Sequence, residues 1–386
     1  MPAPIYLDHH ATTPCDAEVL EAMLPWFTER FGNASSRQHS YGRDARIATE
    51  IARREVASLL SASPRDITFT SGATEGLNWL LKGLVQRRES PSVNVVVSSI
   101  EHPAVLDVCD TLERDGVEVR RVPVPHTGIV DPEEVAAHLD PCTAAVAVMA
   151  ANNEIGTLQP IAAIGERCRE HGAPLVCDAA QAGGRIPIDV ATFGADALVL
   201  SGHKLYGPKG VGAVWVRPRR PPHRITPLID GGGHERGLRA GTLAVPLLVG
   251  MGRACALATQ VMADEAVRVG ALRDTLLELL QAGRPDLQVN GSMTHRLANN
   301  LNISLPGIQA EELLTACGAV IALSSGSACS TDKLAPSHVL GALGLEKAQV
   351  FSSLRFGLGR GTTHDDVVRA AEVILAYCAR VTPRSA

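Results

Sequence analysis

Lys204 is the residue of this chain whose type and position most directly indicate covalent chemistry. It ends the tetrapeptide Ser201-Gly-His-Lys204, which directly follows the apolar run 196–201. A lysine amine at the end of a buried strand can form a Schiff base with an aldehyde. Most lysines in such positions are solvated surface charges, so other residues have to decide between the two interpretations.

Other predicted strand ends also carry polar groups that suit a bound cofactor. The segment Ser71-Gly-Ala-Thr-Glu75 opens a helix, and its backbone N–H groups could bind a phosphate, although an ordinary helix cap is an equally good interpretation. Asp178 follows a buried strand, where a carboxylate needs a cation such as an arginine or a protonated pyridine nitrogen. Glu101-His102 follows another strand. An imine-forming lysine, a ring-binding aspartate and a phosphate turn are together the parts of a pyridoxal phosphate site.

Cys329 differs from the other cysteines in its surroundings. It lies in Leu323-Ser-Ser-Gly-Ser-Ala-Cys-Ser330, whose small polar residues predict an accessible thiol, and accessible thiolates are the reactive ones. The glycine-rich, charged segment 231–242 is too polar for a core, and its arginines and Thr242 suit an anion or a subunit contact.

Three further motifs give only weak signals. The segment Phe356-Gly-Leu-Gly-Arg-Gly361 lies outside any βαβ unit, which argues against a dinucleotide loop. His234-Glu235 lacks the second histidine of a zinc protease helix. His9-His10 has no evident third metal ligand, so we interpret it as a loop or a position at the rim of an active site.

Short apolar runs that alternate with helical periodicity must position these groups. Several runs are apolar throughout, as in a sheet covered on both faces, and the alternation predicts an α/β domain with a mostly parallel sheet. The predicted strands are 67–70, 93–97, 117–122, 144–149, 175–177, 197–200 and 211–216. After a long amphipathic stretch at about 245–280, strands at 299–305 and 353–357 and a helix at 365–380 predict a smaller α+β domain.

Composition excludes several classes of protein. The chain has 386 residues and a formal net charge of −5, which provides no general attraction to nucleic acid or anionic membranes. The chain has no run of 18 apolar residues, so the sequence predicts no membrane span. The N-terminus lacks the features of a secretion signal. Nine scattered cysteines without a C-x-x-C pair argue against a disulfide framework or a zinc site and favour the cytoplasm.

Taken in order, the motifs resemble those of the cysteine desulfurases of the NifS/IscS-like group, which are pyridoxal phosphate enzymes of the class V aminotransferase family. The resemblance covers nearly the whole chain. It rests on these segments: 6–14, 31–36, 71–75, 101–102, 152–156, 178–181, 201–204, 231–242, 325–329 and 354–356. His9-His10 departs from the residues expected after the first aspartate.

The resemblance implies the pyridoxal phosphate-dependent aminotransferase fold, type I. We expect a large domain over 16–262 with a seven-stranded, mostly parallel sheet. The small α+β domain would combine 1–15 with 263–386 and carry the catalytic cysteine on a mobile loop at about 325–336.

The resemblance also implies a role for each matching residue. Lys204 would bind pyridoxal 5'-phosphate as a Schiff base and move protons, Asp178 would hold the ring nitrogen protonated, and His102 would stack on the ring and act in acid–base steps. The phosphate would be held by Ala73, Thr74, Ser201 and His203, and by Thr242 from the other subunit of a homodimer. Asn153 and Gln181 would face the phenolic oxygen, while Arg355, helped by Asn33 and Asn153, would bind the substrate.

The implied reaction converts L-cysteine to L-alanine and leaves the sulfur on Cys329 as a persulfide for an acceptor protein. Two alternatives remain: a related enzyme such as a selenocysteine lyase or a small-amino-acid aminotransferase, and a non-catalytic sulfur-relay or scaffold protein. The acceptor stays open among iron–sulfur assembly, tRNA thiolation, molybdenum-cofactor sulfuration and DNA phosphorothioation. The acidic balance favours a protein acceptor over nucleic acid.

Overall fold

The computed structural model describes residues 3–88, 92–219, 225–325 and 336–381. Its strands are β1 (Ile5–Tyr6), β2 (Ile67–Thr70), β3 (Asn94–Ser98), β4 (Glu118–Val122), β5 (Thr143–Ala147), β6 (Leu175–Asp178), β7 (Ala197–Ser201), β8 (Gly212–Val216), β9 (Gln288–Val289), β10 (Asn300–Ser304), β11 (Ile321–Ala322), β12 (Ser324–Ser325) and β13 (Ser353–Gly357). Its α-helices are α1 (Ala17–Met23), α2 (Pro25–Thr28), α3 (Ser40–Leu59), α4 (Ala73–Val85), α5 (Pro103–Arg114), α6 (Pro132–Ala137), α7 (Ile161–Glu170), α8 (Val245–Gly283), α9 (Ala310–Cys317), α10 (His338–Ala342), α11 (Lys347–Phe351) and α12 (His364–Val381).

Seven strands form the central sheet, in the order β2-β8-β7-β6-β5-β3-β4. Neighbouring strands from β4 to β7 are parallel, while β8 is antiparallel to both β7 and β2. All seven predicted strands are present within one or two residues of their expected limits. The prediction of a seven-stranded, mostly parallel sheet is therefore confirmed.

The inner strands of the central sheet are mostly apolar because helices cover both faces of the sheet. Along β3, Val95 and Val97 pack into the cluster that contains α4 and α5. Val96, between them, points to the opposite face and packs with α3, α7 and α8. Since side chains of a strand alternate between faces, a strand buried on both sides needs an unbroken apolar run.

A second, antiparallel sheet has the order β12-β13-β10-β9, and β1 pairs in parallel with β11. Its core combines Leu7 with apolar residues of α9, α12 and the C-terminal half of α8. The chain's beginning thus packs on its C-terminal part. The domain limits at 15 and 262 stay a prediction.

Helix α8 connects the two parts of the molecule. Within the described ranges it is the one helix long and apolar enough to span a membrane by length and composition. Half of its most apolar window is buried, and it packs against α3, α1 and α12. We therefore interpret α8 as a core helix that links the two hydrophobic clusters.

Candidate active site

A cavity of about 530 Å³ lies at the edge of the central sheet where its parallel strands end. Ligands of open α/β sheets bind at this edge because the turns after successive strands meet there. The cavity is lined by His10, Ala11, Thr12, Ser71, Gly72, Ala73, Thr74, Glu75, His102, Ala104, Met149, Ala151, Asn153, Asp178, Ala180, Gln181, Ser201, His203, Lys204, Lys209, Gly210 and Arg355.

Lys204 lies in a short 3₁₀ turn directly after β7. Its Nζ donates hydrogen bonds to the backbone carbonyls of His10 and Ala11, at 2.8 Å for Ala11. The backbone carbonyl of Lys204 accepts a hydrogen bond from the buried guanidinium of Arg185. The amine is thus held inside the cavity by the N-terminal segment and does not extend into solvent, which removes the surface-charge interpretation.

Asp178 is the last residue of β6 and is buried. Its Oδ1 accepts a hydrogen bond from the N–H of Ala180 at 2.9 Å, and the described residues provide no second hydrogen bond to the carboxylate. Burial raises the pKa of Asp178. The neighbouring His102 and Lys204 have the opposite effect, but it is smaller, so the pKa stays raised. A cationic ligand atom beside Asp178 would offset this cost of burial.

His102 forms the N-cap of α5 and reaches the same cavity. Its Nδ1 accepts the N–H of Ala104 at 3.0 Å, so the neutral ring carries its proton on Nε2. Burial lowers the pKa of His102 despite the opposing effect of Asp178. A largely neutral imidazole with one N–H donor is therefore available in the cavity.

The turn between β2 and α4 forms a cradle in which the N-terminus of α4 suits an anion. No side chain caps α4 at Gly72, and the first-turn residues Ala73 and Thr74 line the cavity with their helix N-terminus. A Cβ on Gly212 of the neighbouring β8 would lie 2.7 Å from the Cα of Gly72, so the two backbones approach as only glycine allows. The cradle thus depends on a close contact between β8 and the turn.

His203 lies beside this cradle with its Nδ1 3.1 Å from the Thr12 hydroxyl. Burial, followed by the charges of Lys204 and Lys209, lowers its pKa to about 4. The ring is therefore neutral near pH 7, and it can bind an anion only as a hydrogen-bond donor.

Arg355 comes from β13 and closes the cavity from the second sheet. Its Nη2 donates to Asp8 Oδ1 at 2.8 Å and its Nη1 to the carbonyl of Asn153 at 3.1 Å. Its Nε is buried and has no partner within the described part of the chain. A planar guanidinium with an unused donor suits the binding of a carboxylate.

The cavity brings together most of the residues that the sequence indicated. These are Ala73, Thr74, His102, Asn153, Asp178, Gln181, Ser201, His203, Lys204 and Arg355. Asn33 and Thr242 do not line it: both are exposed, and Asn33 Oδ1 instead accepts the N–H of Ser35. Their roles stay predictions, as does that of Cys329, which lies with most of the expected 325–336 loop outside the described residues.

His10 is a cavity residue whose contacts the sequence did not indicate. It lies in a turn after β1 and lines the cavity, which agrees with our interpretation of a loop or a position at the rim of an active site, and it is only 1% exposed. Its contact with Gln181 joins residues far apart in the chain, so no local spacing predicts it. The paired histidines and their departure from the family pattern were the available signals. The described residues contain no cluster of three or more His, Cys, Asp or Glu suited to a metal ion.

Comparison with known proteins finds similarity over nearly the whole chain. The pattern of the family "Aminotransferase class-V" matches residues 5–369. A "Cysteine desulfurase IscS" of Anaeromyxobacter dehalogenans (strain 2CP-C) is 49% identical over 367 residues, which cover 95% of this chain and 90% of the relative. The solved structure of a "NIFS-LIKE PROTEIN" has a TM-score of 0.91 at 34% identity, covering 98% of this chain and 100% of that one. That of "SspA in complex with cysteine" has a TM-score of 0.80 at 36% identity, covering 92% and 98%.

Proposed function

The chain belongs to the class-V aminotransferase family, and from this premise we propose that it is a pyridoxal phosphate-dependent cysteine desulfurase. The observation that carries the proposal is the convergence of Lys204, Asp178 and Arg355 on one cavity. An amine, a carboxylate and a guanidinium in one cavity suit an amino-acid substrate and a pyridine cofactor together.

The cavity fits pyridoxal phosphate in size and in its polar groups. Its volume of about 530 Å³ lies in the usual range for small-molecule sites. The Asp178 carboxylate, whose pKa burial raises, suits the protonated nitrogen of a pyridine ring, and the N-terminus of α4 suits a phosphate. When bound, the cofactor would supply an aldehyde for the amine of Lys204 and an electron-accepting ring that weakens the bonds of cysteine.

Each cavity residue then has a task set by its geometry. Asp178 would keep a proton on the ring nitrogen, while Gly72 to Thr74 would bind the phosphate through backbone N–H groups. Lys204 Nζ would take the α proton of the substrate and return it. His102, which lines the cavity with its proton on Nε2, would donate that proton and then take one back.

Arg355 is the proposed site for the carboxylate of L-cysteine. Arg355 is 1% exposed and lines the cavity from the side of the second sheet. A buried charge-assisted hydrogen bond fixes the orientation of the amino acid and places its sulfur away from the arginine.

Cys329 is the proposed sulfur acceptor. Its thiolate would bond to the sulfur of cysteine as the carbon–sulfur bond breaks, and a proton on the former β carbon would complete alanine. Other cysteines suit this task poorly, because burial raises the pKa of Cys109, Cys168 and Cys255 to about 12. Loss of the proton to form a thiolate is therefore costly at these three sites.

A homodimer is part of the proposal. Apolar side chains of α1 to α3 and the segments between them are about half exposed or more: Leu20, Leu24, Phe27, Phe31, Tyr41, Ile47 and Ile51. An apolar cavity of about 300 Å³, lined partly by Trp26 and Ile51, opens among these helices. A second copy of the chain would cover this surface and could bring its Thr242 to the phosphate.

The sulfur acceptor is proposed to be a cytoplasmic protein. The formal net charge of −5 disfavours direct binding to nucleic acid. Eight cysteines of the described residues are free, which fits a reducing compartment. Iron–sulfur assembly and the thiolation pathways remain open as destinations of the sulfur.

Absorption and product analysis test the proposal. The purified protein should have a visible absorption band that survives dialysis and is lost in Lys204→Ala. It should form alanine from L-cysteine, with the sulfur on Cys329. Cys329→Ala should keep the band and lose desulfuration, whereas an aminotransferase would continue to turn over. A colourless wild-type protein that does not bind added pyridoxal phosphate would refute the proposal.

A further inference from the structure

His10 and Gln181 form a closed pair of hydrogen bonds in the wall of the cavity. His10 Nδ1 lies 3.0 Å from Gln181 Oε1, and Gln181 Nε2 donates to the carbonyl of His10 at 2.9 Å. Both residues are nearly fully buried, at 1% and 5% exposure. His10 thus forms hydrogen bonds with both the oxygen and the nitrogen of the Gln181 amide.

The carbonyl of His10 determines the orientation of this amide. A backbone carbonyl can only accept, so the group of Gln181 that faces it must be the NH₂ group. Oε1 therefore faces His10 Nδ1, which must carry the proton. The reversed amide would place two acceptors, Gln181 Oε1 and the His10 carbonyl oxygen, against each other.

The surroundings of His10 keep its ring neutral. Burial, followed by the charges of Arg185 and Arg355, holds its pKa well below the usual value. A neutral ring with its proton on Nδ1 has a lone pair on Nε2, and Nε2 has no partner within the described ranges. Nδ1–H therefore remains a donor to Gln181 over the working pH range.

From this geometry we infer that His10 is a positioning residue, which fixes the amide of Gln181 so that its remaining N–H proton is available to the cofactor. The inference rests on the proposed function, because Gln181, three residues after Asp178, lines the cavity that would hold the cofactor. The His10 carbonyl also accepts from Lys204 Nζ, so one residue contacts the lysine and the glutamine.

Three substitutions of His10 separate this role from simple filling of space. In His10→Asn the side-chain Nδ2 is as many bonds from Cα as Nδ1 of histidine, so the donor is kept. In His10→Gln the amide takes the place of the ring's Nε2, and in His10→Ala no donor remains. His9→Asn is the matched control, because His9 Nδ1 contacts the carbonyl of Gly357 and no cavity residue.

The dissociation constant of pyridoxal phosphate, measured by fluorescence titration of the apoprotein, is the main readout. We expect it to rise about tenfold in His10→Ala and His10→Gln, because one buried hydrogen bond is lost, and to stay within about threefold in His10→Asn and His9→Asn. The position of the cofactor's absorption maximum should change in the same two variants. The melting temperature of each apoprotein separates folding from cofactor binding.

A double-mutant cycle with Gln181→Ala completes the test. If His10 acts through Gln181, His10→Ala should weaken binding by less than about twofold when Gln181 is already alanine. Additive effects, or equal losses in His10→Asn and His10→Ala, would overturn the inference. These outcomes differ from failure of the proposed function, in which the wild-type apoprotein itself would not bind pyridoxal phosphate. If His10→Ala does not fold, the comparison of His10→Asn with His10→Gln still tests whether a donor at the position of Nδ1 is required.

Discussion

Arg355 and Asp8 form an ion pair that joins the beginning of the chain to β13. Arg355 Nη2 lies 2.8 Å from Asp8 Oδ1, and their side chains are 2% and 18% exposed. Asp8 is also bridged through its backbone to Gly357, two residues after Arg355. The carboxylate therefore neutralises and orients the guanidinium before any substrate binds.

Asp8→Ala should weaken the binding of cysteine. Loss of the partner leaves a buried charge unpaired and the guanidinium free to turn, so we expect KM for L-cysteine to rise about tenfold and stability to fall by about 3 kcal/mol. Asp8→Asn keeps Oδ1 as an acceptor and should be affected less. Steady-state kinetics and thermal unfolding of both variants check this. A lower KM in Asp8→Ala would show that Asp8 instead competes with the substrate.

Glu101 should make the protein less stable as the pH rises. It is fully buried; its Oε1 accepts from Ser98 Oγ and Met149 N–H, and burial raises its pKa to about 8. Because the folded protein binds this proton more tightly than the unfolded chain, the stabilisation is complete below about pH 4.5 and is lost as the pH rises towards 8.

Glu101→Gln removes this titration and keeps the side chain's size. Relative to wild type, the variant should gain stability by about 2 to 4 kcal/mol between pH 5 and pH 8. Denaturant unfolding of both proteins at a series of pH values measures the difference. A constant difference across this range would mean that Glu101 has an ordinary pKa in the folded protein.

Much of this arrangement follows from local sequence patterns. Strands β3 and β5 were predictable because burial on both faces requires unbroken apolar runs, and Asp178 and Lys204 were located by their places at strand ends. The two-residue strands β1 and β11 were not predicted, since two residues are too few to show a period. The contacts of His10 with Gln181 and of Asp8 with Arg355 depend on tertiary packing, which local patterns do not encode.

Asp178→Asn should separate stability from activity. The amide keeps the acceptor for the Ala180 N–H and removes a charge whose burial is costly, so the melting temperature of the apoprotein should not fall. Without the carboxylate, the ring nitrogen loses the group that keeps it protonated, and alanine formation should fall by about 100-fold or more. Differential scanning calorimetry and a kinetic assay measure the two effects. Near-wild-type turnover would remove Asp178 from the proposed mechanism.

Gly212→Ala should damage the phosphate cradle from the neighbouring strand. The new Cβ would lie 2.7 Å from the Cα of Gly72 and from the carbonyl oxygen of Leu200, so the turn must shift. We expect a loss of about 1 to 3 kcal/mol in stability and weaker binding of pyridoxal phosphate. Gly341→Ala in α10 is the control, because its Cβ would meet no atom within 4 Å. Equal cofactor affinities in the two variants would contradict the close-contact argument.

Glutamate substitutions on the apolar face of α2 and α3 should separate the proposed dimer. Phe27 and Ile47 are 55% and 57% exposed, and a charge at either position would be buried unpaired if a second copy covers this face. Phe27→Glu/Ile47→Glu should therefore be monomeric by light scattering, while Val267→Glu, at a position 77% exposed on α8, should remain dimeric. If Thr242 reaches the phosphate of the other subunit, the monomeric variant and Thr242→Ala should both weaken the binding of pyridoxal phosphate. A monomeric wild-type protein, or a dimer that persists in the double variant, would show that this face is not the interface.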